Sequence, residues 1–144
     1  MADVIEYKLK GADDIVARFR QLSRDIRRKV AVPAAKDAMQ IVLDDAVERA
    51  YRIDRAKTKP VIAQNITMVE RKAMGEELDA AIVSVGVKRR GKGGGTFYWK
   101  FVELGTEHAR ARPFLRPALS QNQKAVFSEF LSSARYQLIK LGEY

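Results

Sequence analysis

Cysteine is absent from all 144 residues. That excludes disulfides, thiolate catalysis and any Cys-ligated metal centre, and it favours a cytoplasmic place of synthesis. Histidine occurs once, as His108. A single imidazole without cysteine cannot build the usual zinc set. A hydrolase could pair His108 with Ser120, Ser128 or Glu103, but no nucleophile elbow is present. The expectation is an exposed or capping histidine. Long apolar runs are also missing. None could span a bilayer, and the segment from Met1 to Tyr7 lacks a signal-peptide pattern.

What is present describes a folded, basic chain. Hydrophobic residues make up 47%, too many for a disordered tail. The length suits a single domain over residues 1–144 with one core. Lysine and arginine number 27 against 18 acids, a formal charge of +9 that permits sequence-independent contact with a polyanion without establishing it.

Periodicity predicts the elements. Ile5, Tyr7 and Leu9 alternate with Glu6, Lys8 and Lys10, a strand ended by Gly11. Asp13 and Asp14 suit a helix N-terminus, and Ile15, Phe19, Leu22, Ile26 and Val30 continue as one helical stripe. The opposite face carries Arg18, Arg20, Arg24, Arg27 and Arg28, either a solvated face or a surface for a partner subunit or DNA. Pro33 is expected to open a second helix, running through Ala50 with small residues that allow close packing. Residues 52–60 form a polar loop. Strands are predicted over 64–72 and 78–88, paired as an antiparallel hairpin through a turn at Met74 to Glu77. Phe97 to Leu104 fits either period, and Gly105 as a helix C′ residue favours a short helix. A last helix is expected from Pro113 to Leu141, terminated by Gly142.

Three constellations were candidates for chemistry. Gly86 to Gly93 has the spacing of a phosphate-binding loop, but Gly93 stands where a Ser or Thr should ligate magnesium, and no helix follows. Residues 88–96 are better read as a flexible basic loop in which Lys88, Arg89, Arg90 and Lys92 would contact DNA or a neighbouring subunit. Asp44, Asp45 and Glu48 crowd into little more than one turn. They read as surface acids, with metal binding or pairing to a basic neighbour as the sharper alternatives. Glu103 sits among Phe101, Val102 and Leu104, and is either an exposed helix acid or a buried one satisfied by Arg112 or Arg116. Tyr98 and Trp99 suit core packing better than base stacking.

Two stretches, Phe101-Val-Glu-Leu-Gly-Thr-Glu107 and Arg112-Pro-Phe-Leu-Arg-Pro-Ala-Leu119, carry a resemblance. Together they resemble the tail-component family of long-tailed bacteriophages, which pairs an aromatic-Val-Glu-aromatic-Gly-Thr stretch with a Pro-Phe-Leu-Arg-Pro-Ala stretch across a short variable connector. Phe101, Val102, Glu103, Gly105 and Thr106 match the first, with Leu104 in place of the usual aromatic. Pro113, Phe114, Leu115, Arg116, Pro117 and Ala118 match the second.

The resemblance implies a structural virion protein of the phage neck or tail end, made in the host bacterial cytoplasm and similar in role to the minor tail protein Z of lambda-like phages. Such proteins assemble into rings, commonly taken as sixfold, that join head connector and tail tube around the DNA channel. No cofactor, metal, membrane or catalytic residue is implied.

The resulting expectation is an α+β domain: an N-terminal strand and helix pair, a small antiparallel sheet with a hairpin, and a long C-terminal helix packed on one face. Glu103, Gly105, Arg112, Pro113, Phe114 and Arg116 would form a structural joint between the last two helices. The competing classes are a sequence-independent nucleic-acid-binding module and a metal-assisted nuclease built on Asp44, Asp45 and Glu48.

Overall fold

The structure, a computed structural model, describes residues 11–53, 62–88, 90–91, 94–95 and 98–144. The strand expected over residues 4–10 and most of the loop expected over 52–60 lie outside them.

Helix α1 (Ala12–Arg20) follows Gly11, whose φ of 82° is the left-handed conformation glycine adopts freely. Asp13 and Asp14 occupy its first turn, where negative charge suits the helix dipole, and Ile15 is buried. The chain breaks at residues 21–23 and restarts as α2 (Arg24–Ile53), a single helix of 30 residues, about 45 Å long at 1.5 Å per residue. The restart is marked by Ser23. Its carbonyl accepts from the Arg27 N–H at 2.9 Å and its hydroxyl from the Ile26 N–H at 3.4 Å, as an N-cap does.

The expected helix start at Pro33 is therefore wrong. Pro33 lies inside α2. Its missing N–H leaves the carbonyl of Lys29 without an intrahelical donor, and Lys29 is on the exposed side, where water can take that carbonyl.

Six buried residues of α2 repeat at every fourth position: Val30, Ala34, Ala38, Val42, Ala46 and Ala50. Four residues turn about 400° around a helix of 3.6 residues per turn, so the stripe drifts by about 40° at each step. It therefore faces different partners along its length. Val30 and Ala34 join Ile15, Leu22, Ala134 and Leu138 in one apolar cluster. Val42, Ala46 and Ala50 join Ile62, Ala63, Ile66, Phe114 and Ala118 in another.

Alanine along most of the stripe lets neighbours come close to the α2 backbone. After a 3-10 turn (Ala63–Asn65), β1 (Ile66–Glu70) pairs antiparallel with β2 (Val83–Val87), in a register running from Ile66↔Val87 to Glu70↔Val83. Period-two alternation puts Ile66, Met68, Val85 and Val87 on one face. Ile66, Val85 and Val87 belong to the second cluster.

The two strands are not joined by a turn at Met74 to Glu77 but by a helix, α3 (Lys72–Leu78). Asp79, at φ 49°, ends it. Gly75 is needed there, since a Cβ would lie 2.6 Å from the Ala80 carbonyl oxygen. A two-residue ribbon follows, β3 (Arg90–Gly91) against β4 (Gly94–Gly95).

The short helix expected before Gly105 is present as α4 (Trp99–Leu104). The single terminal helix is not. It is divided into α5 (Leu115–Ser120) and α6 (Gln123–Lys140). Asn122 accounts for the break: its side-chain amide donates to the Ala118 carbonyl and to Asp45 Oδ2, both at 2.7 Å. Helix α6 lies along α2, burying Ser133, Ala134 and Leu138, and the Ser133 hydroxyl donates to Asp37 at 2.6 Å. Gly142, at φ 72°, closes it. The Gly142 N–H donates to the Ile139 carbonyl and the Glu143 N–H to that of Leu138, the paired bonds of a Schellman cap.

Candidate functional site

The segment from Tyr98 to Leu119 turns α4 into α5 around one carboxylate. Glu103 is 4% exposed. Its Oε2 accepts from the N–H of Phe114 at 2.8 Å and of Leu115 at 3.0 Å, and its Oε1 from that of Arg116 at 2.9 Å. The first four amides of a helix have no intrahelical acceptor and need an outside partner. In α5 the fourth belongs to Pro117, which has no N–H to satisfy. Glu103 takes the other three, and its negative charge sits at the favourable end of the helix dipole.

This corrects the expected pairing of Glu103 with the arginine side chains. The side chains of Arg112 and Arg116 are exposed and are not among its hydrogen-bond partners. Arginine contributes through its backbone: Arg116 by the amide already described, and Arg112 by an N–H that donates to the Val102 carbonyl at 2.8 Å.

The connector is equally constrained. Gly105 has φ 76° and ψ 171°, and an added Cβ would fall 2.7 Å from the Ala111 nitrogen. That combination of angles is open almost only to glycine. Thr106 then folds the chain back. Its N–H donates to the Ala109 carbonyl at 2.8 Å, and its hydroxyl accepts from the N–H groups of His108 and Ala109 at 3.2 and 3.0 Å. His108 is thus an exposed turn residue, as expected. Phe114, with no exposure, pins the far side of the joint into the core.

Burying Glu103 divides the apolar residues of α4 between two faces. Tyr98, Trp99 and Val102 pack against the core beside the carboxylate. Phe101 and Leu104 point away and are 56% and 57% exposed. Apolar periodicity alone could not have shown this, because the side chain that decides the orientation is charged.

The other sequence candidates are spoken for or fall outside the described residues. Asp44 accepts from the Gln40 amide, Asp45 from Arg49 and Asn122, and Glu48 from Arg52 at 2.5 Å. No group of three potential metal ligands occurs among the described residues. The basic face of α1 and α2 is largely engaged within the chain. Arg18 bonds the side chain and the carbonyl of Glu143, Arg24 and Arg27 both pair with Asp79, and Arg28 donates to the Ala80 carbonyl at 2.9 Å. Asp79, unnoticed in the sequence, is the clasp between α2 and α3.

Within the basic loop, Lys88 is exposed and its N–H donates to the Asn65 carbonyl. Arg89 and Lys92 lie outside the described residues, and Arg90 is described only by its backbone in β3. No described helix is long and apolar enough to cross a membrane.

Residues 13–105 match the family described as "Bacteriophage HK97-gp10, putative tail-component". The chain belongs to this phage tail-component family. The match covers more than half of the chain and ends at Gly105, so it includes α4 and Glu103, while the amides that Glu103 caps lie beyond it. Curated proteins and solved structures offer no match.

Proposed function

We propose that this tail-component protein acts at the phage neck, joining head connector and tail tube as a homo-oligomeric ring. The observation that carries this reading is the outward apolar pair of helix α4. A satisfied joint holds Phe101 and Leu104 outward on a defined scaffold, and covering the exposed half of each would gain about 1–1.5 kcal/mol. Arranged in that way, the site serves contact with other proteins and assigns no reaction to the chain. The rival nucleic-acid module finds less support, because the arginine-rich face of α1 and α2 is bound up with Asp79, Ala80 and Glu143.

The test is assembly without the protein. Infection by phage lacking this gene should yield filled heads and separate tails, and purified protein should restore joined particles in extract. Normal joined virions without it would remove the reading. If the isolated chain binds duplex DNA tightly, with an affinity that falls steeply with salt, the nucleic-acid module takes its place.

A further inference from the structure

Elsewhere on the chain is an apolar groove suited to the outward face of α4. It lies between α2, the start of β2 and α6, with a volume of about 260 Å³. Ala35, Met39, Val83, Val126, Phe127 and Phe130 line it, and among the described residues no polar side chain does. Phe127 stands at its rim, 49% exposed. Glu70 pairs with Val83 across the sheet, on the same face. It is half-buried and takes no hydrogen bond or ion pair from a described residue. The face of α4 has the opposite charge. Lys100 is exposed and precedes Leu104 by one helical turn, so cation and apolar pair share a side.

The groove and the α4 face have no residue in common. Two different patches that fit each other on identical chains make a head-to-tail contact, and repetition of such a contact closes a ring when the rotation allows. We propose that Phe101 and Leu104 of one copy seat in this groove of the next copy, with Lys100 meeting Glu70 at the rim. The proposal rests on the ring reading and names the surfaces that would build it.

The natural absence of cysteine makes disulfide trapping a clean test in the full chain. Leu104→Cys and Ala35→Cys chains, mixed and oxidised, should give a disulfide-linked pair, whereas neither alone should. Phe127→Cys, at an exposed rim position, serves as a second groove variant if Ala35→Cys melts early. A chain carrying both Leu104→Cys and a groove cysteine should give a ladder of multimers.

Self-association measured by sedimentation should weaken roughly tenfold or more in Leu104→Asp, with thermal unfolding unchanged. Lys100→Glu should weaken it less, and adding Glu70→Lys should restore it. Self-linking of Leu104→Cys would mean a symmetric contact and overturn the proposal, as would absence of the mixed pair with both groove variants. If the parent chain still forms rings in negative stain, the ring reading survives and its contact lies elsewhere. A parent chain that stays monomeric without the mixed pair defeats both.

Discussion

Along α2 the buried positions are alanine and valine, whereas along α4 the buried acid is Glu103 while Phe101 and Leu104 face water. Both helices are placed by what they bury, but the physics differs. Helix α2 is held by apolar area and by the close approach that small side chains allow. Helix α4 is held by three amide donors of another helix, which cannot be left unsatisfied beneath the surface. The first arrangement is spread over six positions, whereas in the second one carboxylate takes all three amides, with Tyr98, Trp99 and Val102 packed beside it. A change to α4's anchor should therefore cost more than any single change along α2.

Glu103→Ala offers the sharpest break. It strands the amides of Phe114, Leu115 and Arg116, and should cost about 3 kcal/mol or more, seen as a drop of roughly 10 °C in the calorimetric midpoint. Glu103→Gln retains one acceptor oxygen and should fall between. Parent-like melting of both variants would show that the joint does not depend on this cap. Gly105→Ala comes next, at about 2–3 kcal/mol by urea unfolding, because both the backbone angles and the Ala111 nitrogen oppose a Cβ.

On the α2 side, Ala46→Leu overfills the packed stripe and should cost about 1–3 kcal/mol in the same measurement. Pro33→Ala should move the other way. It restores a donor for the Lys29 carbonyl, and stability should rise by about 1 kcal/mol. A loss instead would mean that the proline ring itself fills needed space. Smallest of all, Glu48→Ala removes an exposed i,i+4 ion pair with Arg52 and should stay within about 0.5 kcal/mol of the parent.

The same contrast explains what the sequence disclosed. The α+β class, the strand pair and the apolar face of α2 were legible because apolar side chains repeat with the period of their element, whereas the stripe from Ile15 to Val30, expected as one helix, is broken at residues 21–23 between α1 and α2. The end of α4 was legible too, since Gly105 adopts a conformation that few other residues can. Three boundaries misled. Pro33 resembles a helix start, yet tertiary packing on both sides carries α2 through it, and the true start is the quieter Ser23 cap. Gly75 resembles a turn, yet it is a helix residue kept small by the Ala80 carbonyl. Asn122 breaks the terminal helix through contacts with Asp45 and Ala118, and the Asp45 contact joins residues 77 positions apart.

The joint was half legible. Its residues stand out as a group, but the sequence left Glu103 open between an exposed helix acid and a buried one, and the structure buries it. Its partners were not legible, because a carboxylate beside two arginines suggests an ion pair, while backbone amides leave no mark in composition. The fact that Pro117 lacks the one amide Glu103 could not reach is visible only once the helix start is known.

That cap also bears on when the joint can form. Glu103 and Phe114 are only 11 residues apart, and a loop of about ten residues closes within roughly 10–100 ns. Helix α5, with six residues, is too short to persist alone. It gains its first-turn partner from a side chain that leaves the ribosome just ahead of it. The turn from α4 to α5 can therefore be rehearsed before α6 has been synthesised, and α6 then meets a bend already set to receive it.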